Sequence, residues 1–331
     1  MGDARRVSMA DVAEHAGVSG QTVSRVVNAS PRVDPATRAR VEAAMTELGY
    51  RPHRAARALR TGRTQTIGLV VSTLANVGNS RMLQAVADAA AARGYALTVV
   101  TLGPDGIGPG FEQLREQGVD GVVVLNEASA LARDAPAPLD LELVVVDTPG
   151  ADGAAYSIVQ SDHAGGAHQA TAHLLSLGHS GVHLLAGPAA SFAADERERG
   201  WREALVDAGR EVPAVVRGDW TAASGHSAAA ALAADPTVTA VFAANDQMAL
   251  GAIRALAEAG RRVPEDVSVV GFDDIADAAD YRPPLTTVRQ DFDVLGVRAV
   301  AALVDGIEGG RRRTETILTT LVTRASTARR G

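Results

Sequence analysis

The sequence predicts a small all-α helix-turn-helix headpiece joined to a two-lobed α/β body of two doubly wound parallel sheets. Three observations carry this reading. Residues 9–28, MADVAEHAGVSGQTVSRVVN, place apolar side chains at helical spacing on both sides of a short break containing glycine. From Thr66 onward, near-continuous Val/Leu/Ile runs alternate with helical stretches, as parallel strands covered on both faces require. Charge is also divided. Residues 1–63 hold 11 Arg against 6 acids, and the remainder holds 21 Arg against 33 acids, so a module of net +5 precedes a body of net −12. Only a segment that meets phosphates gains from such a basic surplus, which points to nucleic acid for the headpiece and to another ligand for the body.

In the headpiece, Met9, Val12 and Ala13 fall at i, i+3, i+4, Ala16-Gly17-Val18-Ser19 interrupts, and Thr22, Val23, Val26 and Val27 resume the spacing. Gly17 accepts the positive φ of a tight turn, and Ser19 is placed to cap the second helix, pointing Gly20, Gln21 and Arg25 outward. A helical hairpin with a merely solvated polar face would read the same way. Residues 35–49 predict a third helix with Asp34 as N-cap, Pro35 at its first position, an apolar stripe of Val41, Ala44, Met45 and Leu48, and Gly49 at its end. Tyr50-Arg51-Pro52-His53 stops regular structure. The basic segment 54–60, RAARALR, is too short to be a stable helix alone, and an unstructured basic linker would use the same residues. The domains expected are a headpiece over 1–53, a hinge and linker over 54–63, and a body over 64–331.

In the body, strands are predicted at 66–72, 95–102, 119–126, 141–148 and 157–162 for the first lobe, and at 182–187, 239–245 and 268–274 for the second. Helices are predicted around 81–93, 164–177, 198–208 and 247–259. Residues 286–291, a helix over 294–305 and one closing strand over 316–324 should cross back between lobes, giving a periplasmic-binding-protein-like body. The first lobe then takes about 64–162 and 291–320, and the second about 163–290 and 321–331. Residues 103–110, GPDGIGPG, are read as a loop because they lack G-x-G-x-x-G spacing and carry prolines where a phosphate-cradling helix should begin.

No run approaches the ~20 apolar residues of a membrane span. The stretch MGDARRVSMADVAEH lacks the apolar core of an export signal, so a cytoplasmic location is expected, nucleoid-associated when bound to DNA. The chain has no cysteine, which excludes disulfides and thiolate metal sites. His163, His168 and His173 recur every five residues, a spacing that does not keep one helical face, so no metal is expected. No nucleophile, base and orienter arrangement is legible, and no catalytic residue or cofactor is assigned.

Ligands of open α/β sheets bind beyond the carboxyl ends of strands, and a cleft between hinged lobes is the natural site. Asp147, Asn245 and Asp273 end strands there, and Arg197, Trp220, Gln290 and Phe292 lie in intervening loops. Carboxylate, amide and guanidinium groups beside an aromatic ring suit a sugar, whose hydroxyls take paired hydrogen bonds and whose apolar face packs on the ring. Each residue alone would also serve as an ordinary strand-end cap.

The string D-V-A-x-x-A-G-V-S-x-Q-T-V-S-R-V-V-N closely resembles the headpiece of the LacI/GalR family of bacterial repressors. The stretches LLAGP, ER-x-RGW, GDW-x-x-x-SG, ANDQMALGA, SVVG-F-DD and PPLTTVRQDF-x-x-LG look like its galactoside-responsive members in particular, over Val7 to about Val304. The resemblance implies DNA contacts from Ser8, Ser19, Gly20, Gln21, Thr22, Ser24, Arg25, Asn28, Arg32, Thr37, Tyr50 and Arg54. It makes 54–60 a hinge helix that folds when two copies meet in the minor groove, where Leu59 wedges a base step. It also implies sugar contacts from Ser72, Asn76, Asn79, Asp147, Arg197, Trp220, Asn245, Asp273, Gln290 and Phe292. Two departures stand out. The wall around Asn76, Gly78, Asn79 and Met82 is smaller and more polar than in the galactoside-responsive members, which affects the sugar's aglycone; and Gly20 replaces a base-reading tyrosine, so the operator sequence should differ.

The function implied is a sugar-responsive repressor, dimeric on a pseudo-palindromic operator and released by a galactoside-like sugar. The leucine-rich tetramerising helix of some members has no counterpart in RASTARRG, hence the dimer. The alternative is a corepressor-dependent relative whose ligand strengthens DNA binding. A sugar-transport protein would share the lobes but need an export signal and no headpiece, and an enzyme would need a catalytic set.

Overall fold

The computed structural model describes residues 7–27, 30–50, 62–103, 105–125, 128, 141–149 and 155–330. They form two compact units, Met1–Thr64 and Gln65–Gly331. The expected hinge helix, with Arg54 and Leu59, lies outside the described residues, as does Asn28.

The first unit is a three-helix core of α1 (Met9–Ala16), α2 (Gly20–Val27) and α3 (Pro35–Glu47). Ser8 caps α1 through a reciprocal box with Asp11, whose carboxylate accepts from the Ser8 N–H at 2.7 Å. Gly17 turns the chain at φ 63°, and the Ser19 hydroxyl accepts from the Thr22 N–H, capping α2. Asp34 caps α3 by accepting from the Thr37 N–H at 2.9 Å. Val12, Ala13, Val23, Val26, Val41, Ala44 and Tyr50 meet in its centre.

The second unit contains two six-stranded sheets. The first runs in the order β11-β5-β4-β3-β1-β2 and the second β12-β10-β9-β8-β6-β7. In the first lobe β1 (Thr66–Val71), β3 (Gly121–Leu125) and β4 (Glu142–Val146) are buried β-branched runs, because α4 (Val77–Ala92) and α10 (Phe292–Ile307) cover one face and α5 (Gly108–Glu116) the other. The edge strand β2 (Ala96–Thr101) is mostly half-buried or exposed, and β5 (Ser157–Ser161) closes the contiguous part of this lobe. In the second lobe, β6 (His183–Ala186), β7 (Val216–Arg217), β8 (Ala240–Ala243), β9 (Ser268–Asp273) and β10 (Thr286–Arg289) lie between α6 (His163–Ser176) with α7 (Phe192–Asp207) on one face and α8 (Ala222–Ala234) with α9 (Asp246–Glu258) on the other. Trp201 is fully buried under α7 and donates its Nε1–H to the Val182 carbonyl at 2.9 Å.

Two expectations are corrected. The single closing strand is two short ones, β11 (Thr314–Ile317) parallel to β5 in the first sheet and β12 (Thr320–Val322) antiparallel to β10 in the second. Leu318-Thr319 makes the step between sheets, and the Thr319 hydroxyl donates to the Asp162 carbonyl at 3.1 Å. The loop read at 103–110 ends early, because α5 begins at Gly108 with Pro109 in its first turn, where proline's missing N–H costs nothing. The chain passes between lobes three times, from β5 to α6, from β10 to α10 and from β11 to β12.

Candidate functional site

On the headpiece, Ser19, Gly20, Gln21, Arg25 and Arg32 are exposed, and Ser8, Thr22, Ser24 and Thr37 are half-buried. Gln21 and Arg25 stand four residues apart on α2, so they share its outer face. Tyr50 is largely buried with Val41 and Ala44, so most of its side chain supports the helices from inside. If Arg25 reads a base, Arg25→Ala should relax specificity at one operator position by about tenfold or more. Measured against an operator library, uniform weakening at every position would instead make it a phosphate contact.

In the body, a cleft open to solvent is lined by Asn76, Gly78, Met82, Asp147, Ala193, Arg197, Trp220, Asn245, Asp273, Gln290, Phe292 and Leu295. Eight of the ten residues proposed for sugar contact line it. The other two do not. Asn79 is fully buried, its Nδ2 donating to the Thr73 carbonyl at 2.8 Å, because Asn76, three residues earlier, takes the N-cap of α4 and faces the cleft. Ser72 is half-buried behind the end of β1 and outside the lining. Ala193 and Leu295 are additions. Both are apolar and unremarkable in sequence, brought in by the first turns of α7 and α10.

The backbone at this site is held in unusual conformations. Asp147, Trp220, Asp273 and Asp274 have φ of 54°, 76°, 111° and 54°, a region that L-residues rarely adopt. Such strain persists only where surrounding structure over-determines it, and it aims side chains off the strand ends. Asp147 Oδ1 accepts from the Ser161 N–H at 3.1 Å. Asn245 caps α9, accepting from the Met248 N–H at 2.8 Å, while its Nδ2 donates to the Trp220 carbonyl at 3.0 Å and fixes the indole's backbone. Gln290 donates to Asp273 Oδ1 at 2.6 Å.

Arg197 is the centre of the set and only 4% exposed. It donates to the Ala244 carbonyl, lies 3.4 Å from Asp273 Oδ1, and stacks with its guanidinium carbon 3.9 Å from the Phe272 ring centroid and 5.4 Å from that of Trp220. Burial pushes the Asp273 carboxyl above its ordinary range, while the Arg197 charge and the Gln290 hydrogen bond pull it back. A planar donor fork beside a carboxylate, an amide and two rings can bind adjacent hydroxyls of a pyranose while an apolar ring face packs on indole and phenyl.

Asp246 lies beneath this floor, fully buried, accepting from the Ile275 N–H at 2.9 Å and from the Thr287 hydroxyl. Burial first, and then the Asp273 charge, raise its carboxyl well above the usual 3.8. The native state therefore keeps a proton that the unfolded chain has already released, and over that pH window stability falls as pH rises. Asp246→Asn, neutral throughout, should lack this dependence. The wild-type-minus-variant melting temperature should become more negative from pH 4 upward, and a difference that rises with pH would show the carboxylate to be stabilised instead.

Two family profiles match the chain, that of bacterial regulatory proteins of the lacI family over residues 8–53 and that of the periplasmic binding protein-like domain over 171–327. The lactose operon repressor of Escherichia coli (strain K12) is 38% identical over 310 residues, covering 92% of this chain and 85% of that protein. The HTH-type transcriptional regulator CelR of Thermobifida fusca is 42% identical over 323 residues, covering 92% and 93%. Among solved structures, a lac repressor dimer bound to operator and the anti-inducer ONPF is similar with a TM-score of 0.83 at 35% identity, covering 98% of this chain and 100% of that one. A CelR–cellobiose complex gives 0.73 at 38% identity, covering 97% and 100%. With its capped helix-turn-helix unit, its pair of parallel sheets and relatives of this identity along nearly its whole length, the chain belongs to the LacI family of bacterial regulatory proteins.

Proposed function

We propose that the chain is a cytoplasmic sugar-responsive repressor, dimeric on a pseudo-palindromic operator and released when a galactoside-like sugar enters the cleft. The observation that carries this is the cleft's lining, in which Arg197, Asp273, Gln290, Asp147 and Asn245 surround Trp220 and Phe292. A β-linked glucose disaccharide is the second reading, favoured by the 42% identity with CelR and by that protein's structure with cellobiose. The small, polar residues Asn76 and Gly78 leave room where a bulky aglycone or second sugar would sit.

The test is release of a labelled operator, selected from a random duplex pool, against methyl β-D-galactopyranoside, lactose, cellobiose and ribose. Release by the first two supports the galactoside reading, and release by cellobiose alone replaces it. Tighter operator binding with any of them gives the corepressor logic instead, since a ligand shifts the equilibrium only toward the state it prefers.

A further inference from the structure

His163 opens α6 at the first passage between lobes and is 2% exposed. Its Nδ1 lies 3.4 Å from both Nε and Nη2 of Arg197. A guanidinium only donates, so Nδ1 accepts and the ring hydrogen sits on Nε2. Nε2 lies 3.0 Å from Asp147 Oδ1, within hydrogen-bond distance but off the N–H direction, and among the described residues no acceptor meets it in line. The ring is boxed in by Phe192, edge-on with centroids 6.3 Å apart, and by Phe272 at 6.0 Å, the same ring on which Arg197 stacks. Asp147 belongs to the first-lobe sheet and Arg197 to the second lobe, and the imidazole is the side chain between them.

We propose that His163 is a positioning residue that couples the ligand groups of the two lobes. One nitrogen is fixed by Arg197, and the other faces Asp147 across the lobe boundary in a contact that a small rotation aligns or breaks. A sugar that engages Arg197 and Asp147 together therefore sets the Nε2–H···Oδ1 geometry. The free energy of completing that buried hydrogen bond then favours one lobe arrangement over the other. This rests on the sugar-cleft reading, and it assigns to that cleft a residue that does not line it.

His163→Phe keeps a ring of similar size without either nitrogen, and His163→Gln restores an acceptor and a donor on one side chain. Operator release and sugar affinity of the operator-free dimer are measured with methyl β-D-galactopyranoside and cellobiose in parallel. The Phe variant should hold operator as wild type does without sugar, yet need about tenfold more sugar for release, the scale of one buried polar partner lost. The Gln variant should recover most of that. In wild type labelled with ¹⁵N-histidine, the His163 signals should show the hydrogen on Nε2 and should move when sugar saturates the protein.

A Phe variant that releases at wild-type sugar concentrations overturns the proposal while leaving the sugar cleft intact. A Gln variant as impaired as Phe, or His163 signals unmoved by saturating sugar, overturns it as well. Wild type that binds neither sugar sinks the cleft reading for this ligand class, and this proposal with it.

Discussion

Arg197→Ala and Asp273→Ala are each expected to give a folded repressor that binds operator normally and stays bound at sugar concentrations that release wild type. The two groups sit 3.4 Å apart, both almost fully buried, and share their surroundings with Gln290, Phe272 and Trp220. Hydrogen bonds from charged groups contribute about 1.5–3 kcal/mol each, and truncation also strands ligand hydroxyls without partners. Loss of one such group with its ligand bonds should raise the sugar needed for release by about a hundredfold. Operator affinity, melting temperature and release midpoint, measured on the same preparations, separate a lost ligand contact from a lost fold. Release at wild-type sugar concentrations by either variant would remove that residue from the site.

Gly187→Ala should weaken sugar binding by about tenfold through Trp220, without touching a polar ligand group. A methyl at Gly187 would fall 2.3–2.6 Å from three atoms of the Trp220 indole, far inside contact distance. The ring cannot retreat easily, because its carbonyl is held by Asn245 and its face by Arg197, so it swings into the space a sugar ring would use. Trp220 is one of only two tryptophans, and the other, Trp201, is sealed in the core. Intrinsic fluorescence therefore reads the cleft directly. A sugar-dependent change in wild type should shrink in Gly187→Ala and vanish in Trp220→Phe, and an unaltered change in the latter would place the ligand elsewhere.

The parts of the fold legible in sequence were those with strong local signatures. The headpiece helices carry Ser19, Asp34 and Gly17, each with its own local chemistry, and the buried strands are near-continuous apolar runs; the Ser8–Asp11 capping box was not read from the sequence. The helix α8 was not legible because AASGHSAAAALAA is alanine-rich on every side and shows no apolar stripe. The break between β11 and β12 was hidden within a continuous strand-forming run, since only the sheets on either side decide where it divides. Strand-end polar residues could be placed at the cleft because parallel topology puts strand ends together. Which of two asparagines faces the ligand, Asn76 or Asn79, depends on the exact start of α4, and Ala193 and Leu295 carry no chemical signal at all. His163 shows only as one of three evenly spaced histidines, and its partners come from distant segments of the chain.

Neither lobe is a contiguous piece of chain, and this affects synthesis. The apolar face of the first-lobe sheet, with Ile67, Leu69, Val123 and Val144, is covered in part by Phe292, Leu295, Val300 and Leu303 of α10. On the ribosome these partners emerge only after the whole second lobe, so that face stays open to other nascent chains for well over a hundred residues of translation. At ~5–20 residues per second this is an exposure of roughly 7 to 28 seconds, long enough for chaperones to engage. Emergence of α10, rather than completion of the first five strands, is then the event that closes the first lobe.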